Sequence, residues 1–132
     1  MPQSQVPTPG AYLKHRRTAA GLSVRDVARR LATEPRLAEH VRAELLELIE
    51  ADAAPMSFYT VVALRAAYPF DLQVLDRLAA IALGMDVDPP RLCRICACSD
   101  HDGCAPAESG RSCSWWDEDL CTGCAGLLAA VA

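Results

Sequence analysis

Two stretches near the end of the chain decide its architecture: CRICACSDHDGC at residues 93–104 and CSWWDEDLCTGC at residues 113–124. They contain all seven cysteines of the 132-residue chain. The residues before them contain none and are rich in alanine, leucine and arginine. The sequence therefore predicts two modules of different kinds, a longer cysteine-free part and a short cysteine-rich part.

Two Cys-x-x-Cys pairs bound the cysteine-rich part, Cys93 with Cys96 and Cys121 with Cys124, and residues 97–120 lie between them. Pairs at this spacing are typical of tetrahedral zinc sites with four thiolate ligands, where each pair binds the ion through a tight turn. We predict a structural zinc site, since catalytic zinc keeps an open position and more often uses histidine and carboxylate ligands. An iron–sulfur cluster is the alternative, because four thiolates also hold a four-iron cluster.

Three cysteines and one histidine remain between the pairs, and their number allows a second metal site. Seven thiols and one imidazole make eight ligands, which is enough for two tetrahedral ions, although the ligands can also be shared in other ways. The ligands of the second site would be Cys98, Cys104, Cys113 and His101. The alternatives are burial of the three cysteines as small apolar groups and an exposed loop position for His101.

The block from residue 93 to residue 124 resembles a cysteine-rich tail of phage and prophage proteins, with its Cys-x-x-Cys-x-Cys-Ser-Asp opening and its Asp-Leu-Cys-x-x-Cys end. A strand within residues 112–116 and a helix over residues 123–131 would complete a module that resembles a treble-clef zinc finger. Of Trp115 and Trp116, one is expected against the metal-binding turns and the other is expected to be exposed. Because so small a core needs the metal, zinc binding and folding of residues 91–132 should be a single event.

The cysteine-free part has the pattern of a helical bundle. Residues 1–9 hold three prolines and predict a disordered tail, and residues 86–90 predict a short, stiff junction. Apolar residues at helical spacing, capping residues and terminating glycines predict five helices within a domain over residues 10–85. Their approximate bounds are 10–20, 24–32, 35–52, 57–68 and 71–84. The expected fold is mainly α, a helical bundle followed by a small cysteine-rich zinc-finger module.

Within this bundle, the stretch YLKHRRTAAGLSVRDVARRL at residues 12–31 resembles the opening of the repressor-type helix-turn-helix family, also called Cro-like or xenobiotic-response-element type. The likeness extends over residues 10–52, because LIEAD at residues 48–52 is similar to the Ile-Glu-x-Gly corner that ends the family's third helix. It implies a DNA-binding domain whose third helix enters the major groove. The alternative is a helical bundle of similar shape that binds another protein.

Positive charge is concentrated at the start of a chain whose formal net charge is −4. Residues 1–36 hold seven basic and two acidic residues, whereas the rest of the chain is acidic. A basic patch of this kind attracts phosphates through its local field. The predicted DNA-contacting residues are Lys14, Arg16, Arg17, Ser23, Arg25, Arg29 and Arg36. Ser23, Arg25 and Arg36 are the candidates to approach base edges, and the other residues are expected to position the protein on phosphates.

Together these features predict a DNA-binding transcriptional regulator of bacterial or phage origin with a structural zinc module. Double-stranded DNA is the expected partner, and a homodimer is a further candidate because such domains commonly bind paired half-sites. The alternative is an adaptor or inhibitor that contacts another protein through the zinc module or through the acidic helix at residues 37–52.

Catalysis and membrane insertion are not expected. The sequence has no glycine-framed nucleophile or isolated acid, and His15, His40 and His101 lie in charged segments, so no enzyme is predicted. It also has no apolar run of the roughly 18 residues that a membrane span needs, and no secretory signal. A soluble, cytoplasmic protein is the expectation.

Overall fold

The computed structural model describes residues 6–33, 35–100 and 113–131, so residues 1–5 of the predicted tail lie outside it. This part of the chain is mainly helical and ends in a small cysteine-rich region, which confirms the predicted fold class at that level. The helices are α1 (Pro9–Ala19), α2 (Val24–Arg30), α3 (Glu39–Glu50), α4 (Phe58–Ala67), α5 (Leu72–Ala82) and α6 (Thr122–Val131). Two short strands, β1 (Trp115–Asp117) and β2 (Leu120–Cys121), lie between α5 and α6 in the chain.

Local capping explains where the first two helices begin and end. The Thr8 hydroxyl accepts a hydrogen bond from the Ala11 N–H (3.1 Å), and Pro9 fits the first turn because its missing N–H would have no partner there. At the start of α2, Ser23 and Asp26 form a reciprocal capping box. Between the helices, Gly21 has a φ of +75°, which a residue without a Cβ adopts freely.

The start of α3 differs from the sequence prediction. The sequence predicts a helix from Pro35, whereas α3 begins at Glu39. The Thr33 hydroxyl accepts a hydrogen bond from the Leu37 N–H (2.8 Å), and this local turn takes the place of the predicted first helical turn. Residues 31–33 and 35–38, between α2 and α3, are therefore not helical.

Residues up to Phe70 form one compact unit, in which α1, α2, α3 and α4 share a hydrophobic core. The Tyr12 ring meets the Phe70 ring edge-on, with centroids 6.5 Å apart. The start of α1 lies against the end of α3, where the Gly10 N–H donates to Asp52 Oδ1 (2.9 Å). The fully buried residues of this core are Tyr12, Leu13, Val27, Ala28, Leu31, Leu46, Leu64 and Phe70.

Residues from Asp71 onward form a second compact unit, so α5 belongs with the cysteine-rich region. The sequence predicts the boundary after residue 85 instead. Asp71 caps α5 by accepting from the Gln73 N–H (2.8 Å), and its other carboxylate oxygen accepts from the Ser99 hydroxyl (3.3 Å). One carboxylate therefore ties the start of α5 to the cysteine-rich region.

The strands form an antiparallel hairpin in which Trp115 lies opposite Cys121 and Asp117 lies opposite Leu120. The sequence predicts both the hairpin and the following helix. The predicted helix begins within two residues of the observed start, and the predicted strand begins slightly before the observed strand. Among the described helices, each is too short or too polar to reach across a bilayer.

Candidate metal centre

The first arm of the centre is the tight turn at residues 93–98. The Cys93 N–H donates to the Cys98 carbonyl (3.0 Å), and the Ala97 N–H donates to the Cys93 carbonyl (2.9 Å). Ala97 adopts a φ of +62°, an unusual conformation for a residue with a Cβ, and it lets the chain reverse immediately after Cys96. This fold-back places the thiols of Cys93 and Cys96 close together.

The second arm is the junction where β2 ends and α6 begins. The Thr122 N–H donates to the Ser114 carbonyl (2.8 Å), and the Ser114 N–H donates to the Thr122 hydroxyl (3.0 Å), which joins this junction to the start of the hairpin. The Cys124 N–H points back to Cys121 Sγ at 3.4 Å. A helix N-terminus that turns its N–H groups toward sulfur stabilises a thiolate there.

The two arms bring four buried thiols together. The Sγ atoms of Cys93, Cys96, Cys121 and Cys124 all lie within 4.8 Å of one another, and Cys96 Sγ and Cys121 Sγ are 3.8 Å apart. Four convergent sulfur atoms in a buried pocket are a donor set for a metal ion. These four cysteines are therefore positioned to hold one, as the sequence predicted.

The pKa values of neighbouring thiols in this cluster are shifted in opposite directions when no cation is bound. Hydrogen bonds from Cys98, and further ones from Cys124 and Cys121, hold the pKa of the Cys96 thiol well below its usual value. Burial raises the pKa of Cys124 far above that of an exposed thiol. Only a positive charge among the sulfur atoms would let all of them ionise together, and a divalent ion supplies one.

A tryptophan packs against the cysteine cluster, and an arginine lies over the tryptophan ring. Trp115 packs against the cysteines, and the Arg91 guanidinium lies 4.1 Å from the centre of its ring. Arg91 also donates to the carbonyls of Glu118 (2.7 Å) and Asp117 (3.1 Å). Trp116, by contrast, is 72% exposed, so one tryptophan packs against the centre and the other faces solvent, as expected.

The predicted second site is only partly described. Cys98 Sγ and Cys113 Sγ are 3.6 Å apart, and Cys121 Sγ completes a group of three within 4.8 Å of one another. Cys104 and His101, the other predicted ligands, lie outside the described residues. The Cys-x-x-Cys spacing assigns Cys121 to one pair alone, so the sequence does not reveal that Cys121 is within reach of both groups.

Comparison with known proteins gave no matching family model, curated protein or solved structure. The two family resemblances therefore stay interpretations of the residues that suggested them. Functional inference for this chain depends on the geometry and chemistry of its own side chains.

The predicted DNA-contacting residues divide into an exposed and a buried set. The exposed residues are Lys14, Ser23, Arg25, Arg29 and Arg36. Arg16 and Arg17 are buried, at 4% and 7% exposure. The role predicted for Arg17 needs correction, because its buried guanidinium forms an ion pair with Glu50 and is not exposed for contact with a phosphate.

The exposed side of α3 is acidic and contains an apolar residue. Glu39, Glu44 and Glu47 are exposed there, and Leu48 lies among them at 48% exposure. Glu50 is not part of this exposed surface, because its side chain is buried in an ion pair with Arg17. The acidic surface predicted for residues 37–52 is therefore present, and it lies on the helix that the family resemblance would place in the major groove.

Proposed function

We propose that the chain is a DNA-binding transcriptional regulator whose cysteine-rich region is stabilised by a structural zinc ion. The observation that carries the DNA-binding part is the exposed cationic surface of α2, formed by Arg25, Arg29 and Arg30, with Ser23 exposed at its start. Lys14 adds a further exposed cation on α1. Arginines on a rigid helix suit the phosphate contacts that provide most of the affinity in such complexes.

The way α1 is held against the end of α3 supports a helix-turn-helix arrangement. Arg17 pairs with Glu50, and Gly10 donates to Asp52. Asp52 has a φ of +58° and occupies the position where the Ile-Glu-x-Gly corner has its glycine, so the chain turns there as that corner requires. These contacts fix α1 relative to α3, which a helix-turn-helix needs in order to present a helix to a groove.

Zinc is favoured as the ion by the separation of the sulfur atoms. With zinc–sulfur bonds of about 2.3 Å at tetrahedral angles, two thiolates on one ion lie roughly 3.8 Å apart. Cys96 Sγ and Cys121 Sγ are 3.8 Å apart. A four-iron cluster separates its thiolates further, because a cube of iron and sulfide stands between them. The turn, hairpin and helix that bring the sulfur atoms together also support the resemblance to a treble clef.

A binding titration tests the DNA-binding part. The zinc-loaded full chain is titrated with a mixed-sequence duplex at about 50 and 200 mM salt, and we expect binding that weakens steeply as salt rises. The double variant Arg25→Glu/Arg29→Glu should lose at least about tenfold in affinity at low salt. The slope of its log binding constant against log salt concentration should become shallower by about 0.9 for each lost phosphate contact.

The matched control is Arg65→Glu/Arg77→Glu, which makes the same charge change at two exposed arginines on α4 and α5. Its affinity should stay much closer to that of the wild type. Equal losses in the two double variants would mean that net charge alone governs binding. Failure of the wild type to bind duplex at low salt would overturn the DNA-binding proposal.

A second candidate function follows from the acidic face of α3. Exposed Glu39, Glu44 and Glu47 repel phosphates, and together with the exposed Leu48 they suit contact with a basic protein surface. In this case the chain is an adaptor or inhibitor. The variant Glu44→Gln/Glu47→Gln separates the two functions, because it should strengthen binding to DNA but weaken binding to a basic protein.

A further inference from the structure

Two more cysteine sulfur atoms lie beside the four that form the zinc site. Cys98 is buried and Cys113 is half-buried, and their Sγ atoms are 3.6 Å apart. Both lie within 4.8 Å of Cys121 Sγ. Cys121 is therefore the one described cysteine that belongs to both groups of convergent thiols.

We propose that the cysteine-rich region binds two divalent metal ions and that the Cys121 thiolate bridges them. The first ion has the four ligands already described. The second is held by Cys98, Cys113 and the shared Cys121, with its remaining position filled by a ligand from elsewhere. The proposal rests on the zinc site of the proposed function and extends that site to a two-ion cluster.

The position of Cys121 suits a bridging ligand. A thiolate sulfur has several lone pairs and can bind two ions on different sides. Cys121 Sγ lies 3.8 Å from Cys96 Sγ and within 4.8 Å of the Sγ atoms of Cys98 and Cys113. Its backbone is fixed between β2 and α6 by the paired hydrogen bonds of Ser114 and Thr122, so its sulfur is presented from a rigid element.

Charge balance favours a second ion over an enlarged thiol cluster. One divalent ion with four thiolates has a formal charge of 2 − 4 = −2, and two such ions with the six described thiolates have 4 − 6 = −2. The second ion therefore lets Cys98 and Cys113 ionise in this buried setting without adding net charge.

Cadmium substitution of the full chain tests the bridge directly. The reduced protein is loaded with a spin-half cadmium isotope, freed of excess ion, and measured for metal content and by cadmium NMR. We expect two equivalents per chain and two resonances in the range of thiolate-bound cadmium, each split by the other through the shared sulfur. Two unsplit resonances would overturn the bridge, and one equivalent would overturn the second ion.

Serine variants assign the ligands with the same measurements. Cys98→Ser should lower the metal content from two equivalents to one and remove the splitting, while the remaining resonance persists. Ser114→Ala, which changes the neighbour of Cys113 without removing a sulfur, should keep both equivalents and the splitting. Retention of two coupled ions by Cys98→Ser would overturn the ligand assignment. If this variant does not fold, the splitting in the wild type still decides the proposal.

The outcomes also separate this proposal from the one on which it rests. One bound ion in the wild type, with Cys98 and Cys113 open to a thiol reagent, would reject the second ion and leave the four-cysteine site intact. No bound ion at all would reject both the cluster and the zinc site, whatever the result of the DNA titration.

Discussion

Arg17 and Glu50 form a bidentate ion pair, although they are 33 residues apart in the chain. Arg17 Nε lies 2.7 Å from Glu50 Oε2, and Arg17 Nη2 lies 2.8 Å from Glu50 Oε1. The two side chains are only 8% and 7% exposed. Arg17 Nη1 also donates to the Leu22 carbonyl (2.9 Å). A single guanidinium therefore joins α1, the turn before α2 and the end of α3.

Removing one partner of this pair should destabilise the N-terminal unit. In Glu50→Gln the Arg17 charge stays buried without its counter-charge, and we expect a loss of about 3 kcal/mol in the free energy of unfolding. Chemical denaturation followed by circular dichroism measures it. Arg29→Gln breaks only the exposed pair with Asp26 and should cost no more than about 0.5 kcal/mol. Equal losses in the two variants would contradict a structural role for the buried pair.

The close approach of α1 to the end of α3 predicts that Gly10 tolerates no side chain. A Cβ at Gly10 would collide with the Ile49 carbonyl and lie 2.7 Å from the Glu50 carbonyl, both of which are backbone atoms. Gly10→Ala should therefore lower the free energy of unfolding by about 1–3 kcal/mol, despite the better helix propensity of alanine. Gly126→Ala is the control, because no atom lies within 4 Å of its added Cβ, and it should be neutral or stabilising.

The capping box of α2 gives a pH dependence with a defined sign. Hydrogen bonds from the backbone and side chain of Ser23 hold the pKa of the Asp26 carboxyl below its usual value. A lowered pKa in the folded state means that this stabilisation is present above the ordinary Asp pKa of about 3.9 and is lost as the pH falls through the lower folded value.

Wild type and Asp26→Asn should therefore differ most in stability near neutral pH, and their curves should converge as the solution is acidified. Thermal unfolding from neutral to strongly acidic pH checks this. In a Ser23→Ala background, the loss of stability caused by Asp26→Asn at neutral pH should be smaller, because the hydroxyl half of the capping box is already missing. A gap that widens on acidification would refute the capping role.

Metal removal should unfold the cysteine-rich region. The described thiols form most of its small buried core, so we expect ordered packing there to depend on an ion that they share. Excess chelator under reducing conditions should therefore change the emission of Trp115, which packs on the cluster, while much of the helical circular dichroism of α1 to α4 remains. Re-added zinc should reverse the change. An unchanged emission spectrum after complete removal of the ion would contradict the prediction.

Features set by neighbouring residues were predictable from the sequence. Gly21 and Gly84 end their helices at positive φ, and Ser57 and Asp71 cap the helices that follow them, as their local patterns indicated. The four-cysteine set was predictable for the same reason, because a Cys-x-x-Cys pair encodes its own turn.

Features set by distant contacts were not predictable in this way. The burial of Arg17 depends on Glu50, which no local pattern links to it. The grouping of α5 with the cysteine-rich region includes the contact of Asp71 with Ser99, 28 residues further along the chain. The shared position of Cys121 depends on Cys98 and Cys113, which lie 23 and 8 residues before it in the chain.

The hairpin turn leaves Asp117, Glu118 and Asp119 exposed in the same small region as the thiolates. These three acidic residues outnumber the exposed Arg91 and Arg94 beside them, of which Arg94 pairs with Asp119 (2.6 Å). An ion bound by four thiolates would add further negative charge. A polyanion that comes within about 10 Å of this region is repelled before any specific contact forms. If the ion binds as proposed, it would both shape this region and disfavour nucleic acid there, which fits the proposed approach of DNA to the cationic surface of α2.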